Sequence, residues 1–342
     1  MNSTLRILIL GGTGSISYAV TNNLVAKGCC VTLLVRDVAK AQRLFAPAPN
    51  LILEQGDAQD RARLLAVSRG HSVIFHGINY PYHQWSGNME RVTANVIEAA
   101  SQEQATIVFP GNVCNYGLTT PIREDSRPQP VSKKGALRVQ LEQMLADAAH
   151  AGRCRVLNVR LPDFWGPDVL NFGITPVFEG ALTGKALPYL LNADIPHQMA
   201  YTPDAAEVIS RLLLAGPQQP YEVVNYGGQV MPSVRRFFGQ ISAVAGQPLR
   251  IRVQPRWLFS LLGLFMPMVR EAKEMLYLFE NSIILDDTML RCRFPEWQET
   301  PLSEALATTL SWFAEHQLHR SFTPAGAAAP TERHPVSVPS NA

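Results

Sequence analysis

The sequence predicts an α/β protein: a doubly wound parallel sheet with a smaller, mostly helical C-terminal lobe. Three observations carry this prediction. Short apolar runs alternate with helix-length segments over residues 5–159, the pattern of parallel strands joined by crossover helices. Residues 5–10 (LRILIL) are nearly all apolar, as a strand covered on both faces must be. That strand runs into a glycine-rich turn and then into a helix, GGTGSIS at 11–17. In order, strands are expected at 5–10, 31–35, 51–53, 72–75, 106–109 and 155–159. Helices are expected between them at 15–27, 38–45, 61–67, 89–101 and 133–150.

Beyond Pro162 the pattern loosens. Loops carrying Pro167, Pro176, Pro188 and Pro196 alternate with helices expected at 204–215, 233–245, 269–280 and 302–316, and a strand at 221–225 interrupts them. The domains are read as 1–165, a nucleotide-binding sheet domain, and 166–322, a substrate lobe interleaved with it. Residues 323–342 are rich in Pro, Ala and Ser and lack periodicity, so a disordered tail is expected. Residues 257–268 (WLFSLLGLFMPM) form the most apolar stretch. It is too short to span a bilayer and reads as a buried or pocket-covering helix, with a membrane-surface contact as the alternative.

Composition excludes several classes. The 342 residues are 46% apolar and 17% charged, an ordinary globular balance. The net charge of +2 is too small to imply a nucleic-acid partner. Cys29, Cys30, Cys114, Cys154 and Cys292 show neither disulfide-framework nor metal-ligand spacing, so reduced thiols, no metal and a cytoplasmic location are expected. The N-terminal apolar run is a strand broken by glycines and not a secretion signal. No membrane is expected, and a monomer or homodimer taking a small-molecule substrate is.

The opening turn points to a dinucleotide. Gly11, Gly12 and Gly14 permit a tight turn and let backbone N–H groups approach a ligand. A helix starting near Ser15 aims free donors and positive partial charge at the same gap, where a pyrophosphate fits. Gly11, Gly12, Thr13, Gly14, Ser15 and Ile16 are therefore candidate cofactor contacts. Ser17 stands where a third glycine would ease helix–sheet packing. Arg36, with Lys40 and Arg43 after it, lies where the adenosine ribose is expected. A cation there suits the 2′-phosphate of NADP, while Asp37 beside it would suit NAD. NADP is the favoured cofactor; a loop-capping, solvated Arg36 is the alternative. Asp57 is placed for the adenine amino group, for a helix N-cap, or for both.

These segments together resemble the extended short-chain dehydrogenase/reductases, the NAD(P)-dependent epimerase/dehydratase group, over roughly residues 5–317. GGTGSIS resembles the nucleotide loop, ANVIEAA (94–100) the fourth helix and FPGNVCNYG (109–117) the fifth strand with its Tyr-Gly end. VRLPDFWGP (159–167) resembles the segment passing the nicotinamide, and MAYTPDAAEVI (199–209) the return into the substrate lobe. The resemblance implies a Rossmann fold and hydride exchange with a carbonyl or secondary alcohol of a polar small molecule, such as a nucleotide sugar. It also implies a Ser or Thr, a Tyr and a Lys in the site. This chain has Asn112, Lys134 and Arg138 at those three positions.

The replacements still allow chemistry. Lys134 and Arg138 are four residues apart on one expected helix, and like charge would lower the Lys134 pKa toward that of a proton donor. Arg138 can clamp ribose hydroxyls, and the Asn112 amide can donate to an oxyanion. The alternatives are an exposed basic face for the pair and a loop cap for Asn112. Tyr116 is a substitute acid or a ring packed under the cofactor. The loop after strand four supplies His76, Asn79, Tyr80, Tyr82, His83 and Trp85 as pocket candidates, with His76 nearest the cofactor. Asp163 and Trp165 are placed beside the nicotinamide, Asp163 as carboxamide partner or plain turn residue. His197 reads as structural. A non-catalytic dinucleotide sensor is the rival to an enzyme.

Overall fold

The computed structural model describes residues 5–325, except 172, 249, 256, 259–260, 262–268, 270 and 272. Its core is a seven-stranded parallel sheet. The strands are β1 (Arg6–Leu10), β2 (Cys30–Val35), β3 (Leu51–Gln55), β4 (Val73–His76), β5 (Thr106–Gly111), β6 (Arg155–Arg160) and β10 (Tyr221–Asn225). Their spatial order is β10-β6-β5-β4-β1-β2-β3. Five crossover helices fill the intervals: α1 (Ser15–Ala26), α2 (Val38–Leu44), α3 (Arg61–Ser68), α4 (Asn88–Glu103) and α5 (Lys133–His150). Each lies within a few residues of its expected span.

Strand alternation feeds two cores. Ile7 and Ile9 of β1 join the layer under α1 and α7 (Thr202–Ala215), while Leu8 and Leu10 join the layer under α4 and α5. All four are fully buried. Because β1 pairs with both β2 and β4, the chain departs in opposite directions from its C-terminal end. That divergence opens the crevice in which ligands of such sheets bind.

The C-terminal lobe packs α6 (Thr175–Thr183), α8 (Val234–Val244) and the helix Leu302–His316 around Trp165, Phe178, Phe237 and Phe313. It also contains two small sheets that the sequence pattern did not suggest. One joins β7 (Asp163–Trp165), β9 (His197–Tyr201) and β11 (Gln229–Met231); the other joins β8 (Leu187–Leu190) and β12 (Ile251–Gln254). These strands are too short for a two-residue period to register. The chain then re-enters the main sheet, β10 pairing with β6.

The helix expected at 269–280 differs. Its described residues Val269 and Glu271 are helical, and after them come a 3₁₀ turn, Lys273–Met275, and one helical turn, Tyr277–Glu280. Met275, Leu276, Leu278 and Phe279 line one cavity. The apolar run 257–268 falls largely outside the described residues, as does the expected tail from 326 onward. Ala325 is ordered against the body, its N–H donating to Val244 O at 2.9 Å. Among the described residues no helix is long and apolar enough to cross a membrane.

Candidate active site

The glycine turn is tight because two loops touch. Gly11 has φ +72°, and a Cβ there would lie 2.6 Å from Gly77 O. Gly14 N–H closes the turn on Gly11 O at 3.0 Å. Gly14 is the N-cap of α1; it makes no side-chain cap, and the first turn holds no acidic residue. The helix therefore presents backbone donors at the crevice, a fit for pyrophosphate. Ser15 is turned sideways, its hydroxyl donating to Asp168 O at 2.7 Å. Ser17 is fully buried, and its Oγ fills the space where a Cβ of Gly77 would begin.

At the adenosine end, Arg36 is exposed just past β2. Asp37 caps α2, Oδ1 accepting from Lys40 N–H at 2.8 Å. Asp57 accepts from Gln59 N–H at 2.9 Å, and the cap of α3 is Asp60 instead. The N-cap expectation for Asp57 is thus corrected: the helix begins one turn later. Its carboxylate remains half-buried beside Gly56.

A cavity of about 480 Å³ continues from Ile16 and Gly77 into the lobe. His76 closes its inner end. Its Nε2 lies 3.0 Å from Thr93 Oγ1, while Nδ1 has no partner among the described residues. Complete burial, aided by Arg138, drives its pKa down to about 3, so the ring is neutral. Arg138 lies over the Phe109 ring at 4.6 Å and donates from Nη2 to Pro110 O at 2.7 Å. Its Nε has no partner among the described residues. Burial pulls its pKa below the usual value, and neighbouring Cys114, Glu142 and Tyr82 oppose that.

Asn112 borders the same cavity and also caps its turn. Its Oδ1 accepts from Cys114 N–H at 3.0 Å and from Cys114 Sγ at 2.8 Å. The amide NH₂ remains the donor face. Burial raises the Cys114 thiol to about 12, so it is a neutral wall. Tyr82 enters from the loop after β4, edge-on to Trp85 at 5.1 Å. Burial foremost raises its hydroxyl to about 12, with Arg138 pulling the other way. Asp163 and His197 meet at the opposite wall, Oδ2 to Nε2 at 3.1 Å. The structural reading of His197 missed this position; its pairing with Asp163 arises only because β7 and β9 are neighbours. Asn79 is in the lining, whereas Tyr80 bonds Gln59 and His83 is exposed.

Three expectations are corrected. Lys134 is buried but outside the cavity lining, held by Glu271 at 2.5 Å and Glu274 at 2.9 Å. Burial works against its charge, yet the bonds to both carboxylates win and its pKa is raised, not lowered. It is a poor proton donor at neutral pH. Four-residue spacing put it on the Arg138 face, but its long chain follows acidic partners from a distant segment. Tyr116 is fully buried outside the cavity lining, under the Arg160 guanidinium at 4.6 Å. Burial holds its hydroxyl firmly protonated. Trp165 packs in the lobe core, 4.9 Å from Tyr201, and not beside the cavity.

The acidic partners of Lys134 belong to a strap, residues 271–280, that covers the cavity. Lys133 N–H donates to Glu274 Oε2 at 2.7 Å, Ser132 Oγ to Met275 Sδ at 3.5 Å, and Tyr277 Oη to Cys114 O at 3.3 Å. The start of α5 therefore serves as the latch for the strap. The signal in the sequence was the apolar stretch leading into it.

Residues 7–227 match the NAD dependent epimerase/dehydratase family. The chain is 30% identical over 270 residues to the dTDP-6-deoxy-L-talose 4-dehydrogenase (NAD(P)(+)) of Kitasatospora kifunensis, covering 73% of this chain and 82% of that protein. It is similar in fold to UDP-glucuronic acid 4-epimerase of Bacillus cereus in complex with NAD. That match has a TM-score of 0.74 and 15% identity, covering 92% of this chain and 100% of the other. The dTDP-glucose 4,6-dehydratase DesIV of Streptomyces venezuelae, with NAD bound, matches with a TM-score of 0.74 at 18% identity, covering 92% and 99%. The chain belongs to the NAD dependent epimerase/dehydratase family, a family of NAD(P)-binding enzymes.

Proposed function

We propose that the cavity is the active site of an NADP-preferring oxidoreductase or epimerase acting on a carbonyl or secondary alcohol. The observation that carries this reading is the continuity of the glycine turn with the cavity through Ile16 and Gly77. His76 Nδ1 and Arg138 Nε, on residues of the lining and without partners among the described residues, fit a ligand with polar groups of its own. Gly11, Gly12, Thr13, Gly14, Ser15 and Ile16 would hold the pyrophosphate, Arg36 the 2′-phosphate and Asp57 the adenine. His76, Arg138 and Asp163 would face the nicotinamide end. The bound dinucleotide supplies a hydride donor or acceptor. The nucleotide sugars of the named relatives are the first substrates to assay. We place this chemistry in the cytoplasm, in keeping with five unpaired cysteines.

In this reading Asn112 and Tyr82 hold the substrate oxygen. A bound dinucleotide would supply or accept the hydride, and Tyr82 would give its hydroxyl proton to the substrate oxygen in reduction and take it back in oxidation. A hydroxyl raised to about 12 stays protonated until the oxygen it faces gains charge. Arg138 stabilises the anion left behind. The test is NADPH oxidation with a panel of carbonyl compounds. Tyr82→Phe should lower kcat about 10²-fold or more while leaving the NADPH Kd within a few-fold. A sensor without turnover is the second reading, favoured by the ion-paired Lys134 at the family's tyrosine position. Tight NADPH binding with no turnover of any carbonyl would decide for it.

A further inference from the structure

We infer that the substrate is an uncharged, mainly apolar ketone or secondary alcohol bearing one or two rings, and not a nucleotide sugar. This rests on the cavity being the active site. Among its described lining residues, Arg138 and Asp163 are the only side chains with a permanent charge, and no lysine is present. A diphosphate brings two negative charges and needs cationic partners, best met by forked arginines. Arg138 is a single cation with one arm committed: Nη2 donates to Pro110 O at 2.7 Å, and its face lies on Phe109. Asp163 would repel a phosphate, and His197 is engaged with Asp163. An anion buried there without partners pays its full desolvation cost.

The walls match a different ligand. Trp85, Phe164, Tyr189, Leu278 and Phe279 present rings and branched chains to the space, and Met199 and Met275 add adaptable surface. Tyr189 and Phe279 meet edge to face at 6.0 Å, and Phe279 stacks on the His197 ring at 6.4 Å. Among the polar side chains of the lining, which also include Asn79, Asn171 and Tyr189, the set Tyr82, Asn112 and Arg138 would orient the reacting oxygen beside the apolar wall. At about 480 Å³, part of which Ile16 and Gly77 line for the cofactor, the space suits a compact body.

The experiment uses the full chain saturated with NADP⁺. Binding of 1-indanone and cyclohexanone is measured by tryptophan fluorescence and calorimetry, beside UDP-glucose and dTDP-glucose. The ketones should bind at least about tenfold more tightly than either nucleotide sugar. Phe279→Arg should weaken ketone binding about tenfold and leave the NADP⁺ Kd within about twofold. Tighter binding of a nucleotide sugar, or binding of neither class, would overturn the proposal. Ketone binding without NADPH oxidation would keep the ligand class and remove the hydride-transfer reading.

Discussion

The Ser17 hydroxyl and the bare Cα of Gly77 share one space at the junction of the glycine turn and the cavity. A Cβ on Gly77 would run into Ser17 Oγ, and would also lie 2.8 Å from Phe75 Cε1 and 3.0 Å from Leu10 O. The serine that replaces a family glycine on α1 is accommodated by a glycine on the facing loop. Gly77→Ala should destabilise the fold by about 1–3 kcal/mol, the usual cost of overpacking. Ser17→Gly in that background should recover only part of the loss, because the Phe75 and Leu10 contacts remain. Chemical denaturation of the two single variants and the double variant measures the coupling; strict additivity would show that the two residues do not compete.

Arg36 sets the cofactor prediction. It is exposed past β2, while Asp37 beside it is already spent on the α2 cap. A free cation next to an engaged carboxylate favours the phosphorylated ribose. Arg36→Ala should weaken NADPH by about 1.5–3 kcal/mol and leave NADH nearly unchanged. Titration of both cofactors checks this, and equal wild-type affinities would refute the NADP preference.

Lys134→Met removes the cation that ties α5 to Glu271 and Glu274. The carboxylates are partly exposed, so the cost should be moderate, about 1–3 kcal/mol. The strap should become more sensitive to protease, and KM for the carbonyl substrate should rise more than kcat falls. Loss of kcat at constant KM would instead return Lys134 to the chemistry.

His76 gives a pH signature. Burial holds its folded pKa at about 3, against about 6.5 in an unfolded chain. Between those values the unfolded state binds one more proton, so stability rises with pH in that window and is lost as pH falls through it. The slope from this residue approaches about 1.4 kcal/mol per pH unit. His76→Asn should flatten that slope between about pH 6.5 and the acid transition. Denaturant midpoints across that range would show it; an unchanged profile would mean that the ring is not held neutral.

The nucleotide-binding half was legible because its signals are local. Five- and six-residue apolar strands, a glycine turn and helices of ordinary length each declare themselves within a short window. The site was legible by position but not by contact. Asn112, Arg138, His76 and Asp163 do reach one cavity, yet the partners that decide chemistry come from far along the chain. Glu271 is 137 residues from Lys134, and Asp163 is 34 from His197. Helical spacing foretold a shared face for Lys134 and Arg138; it held no information about which acids would wait outside. The strands of the lobe escaped for another reason. At three to five residues, and with Pro188 inside one of them, they are held by neighbours and not by propensity.

The return of β10 to the main sheet has a consequence for dissecting the protein. Residues 221–225 are the partner of β6, although the whole of β7 to α7 lies between them in the chain. A fragment ending at residue 165 would keep the glycine turn but leave β6 as a bare edge, with its backbone groups from Val156 to Arg160 open to pairing with another molecule. Self-association of such a fragment through that edge is the expected failure. The chain cannot be cut cleanly into two: β7 to α7 lie between two strands that are neighbours in the main sheet, and the rest of the lobe follows the second of them.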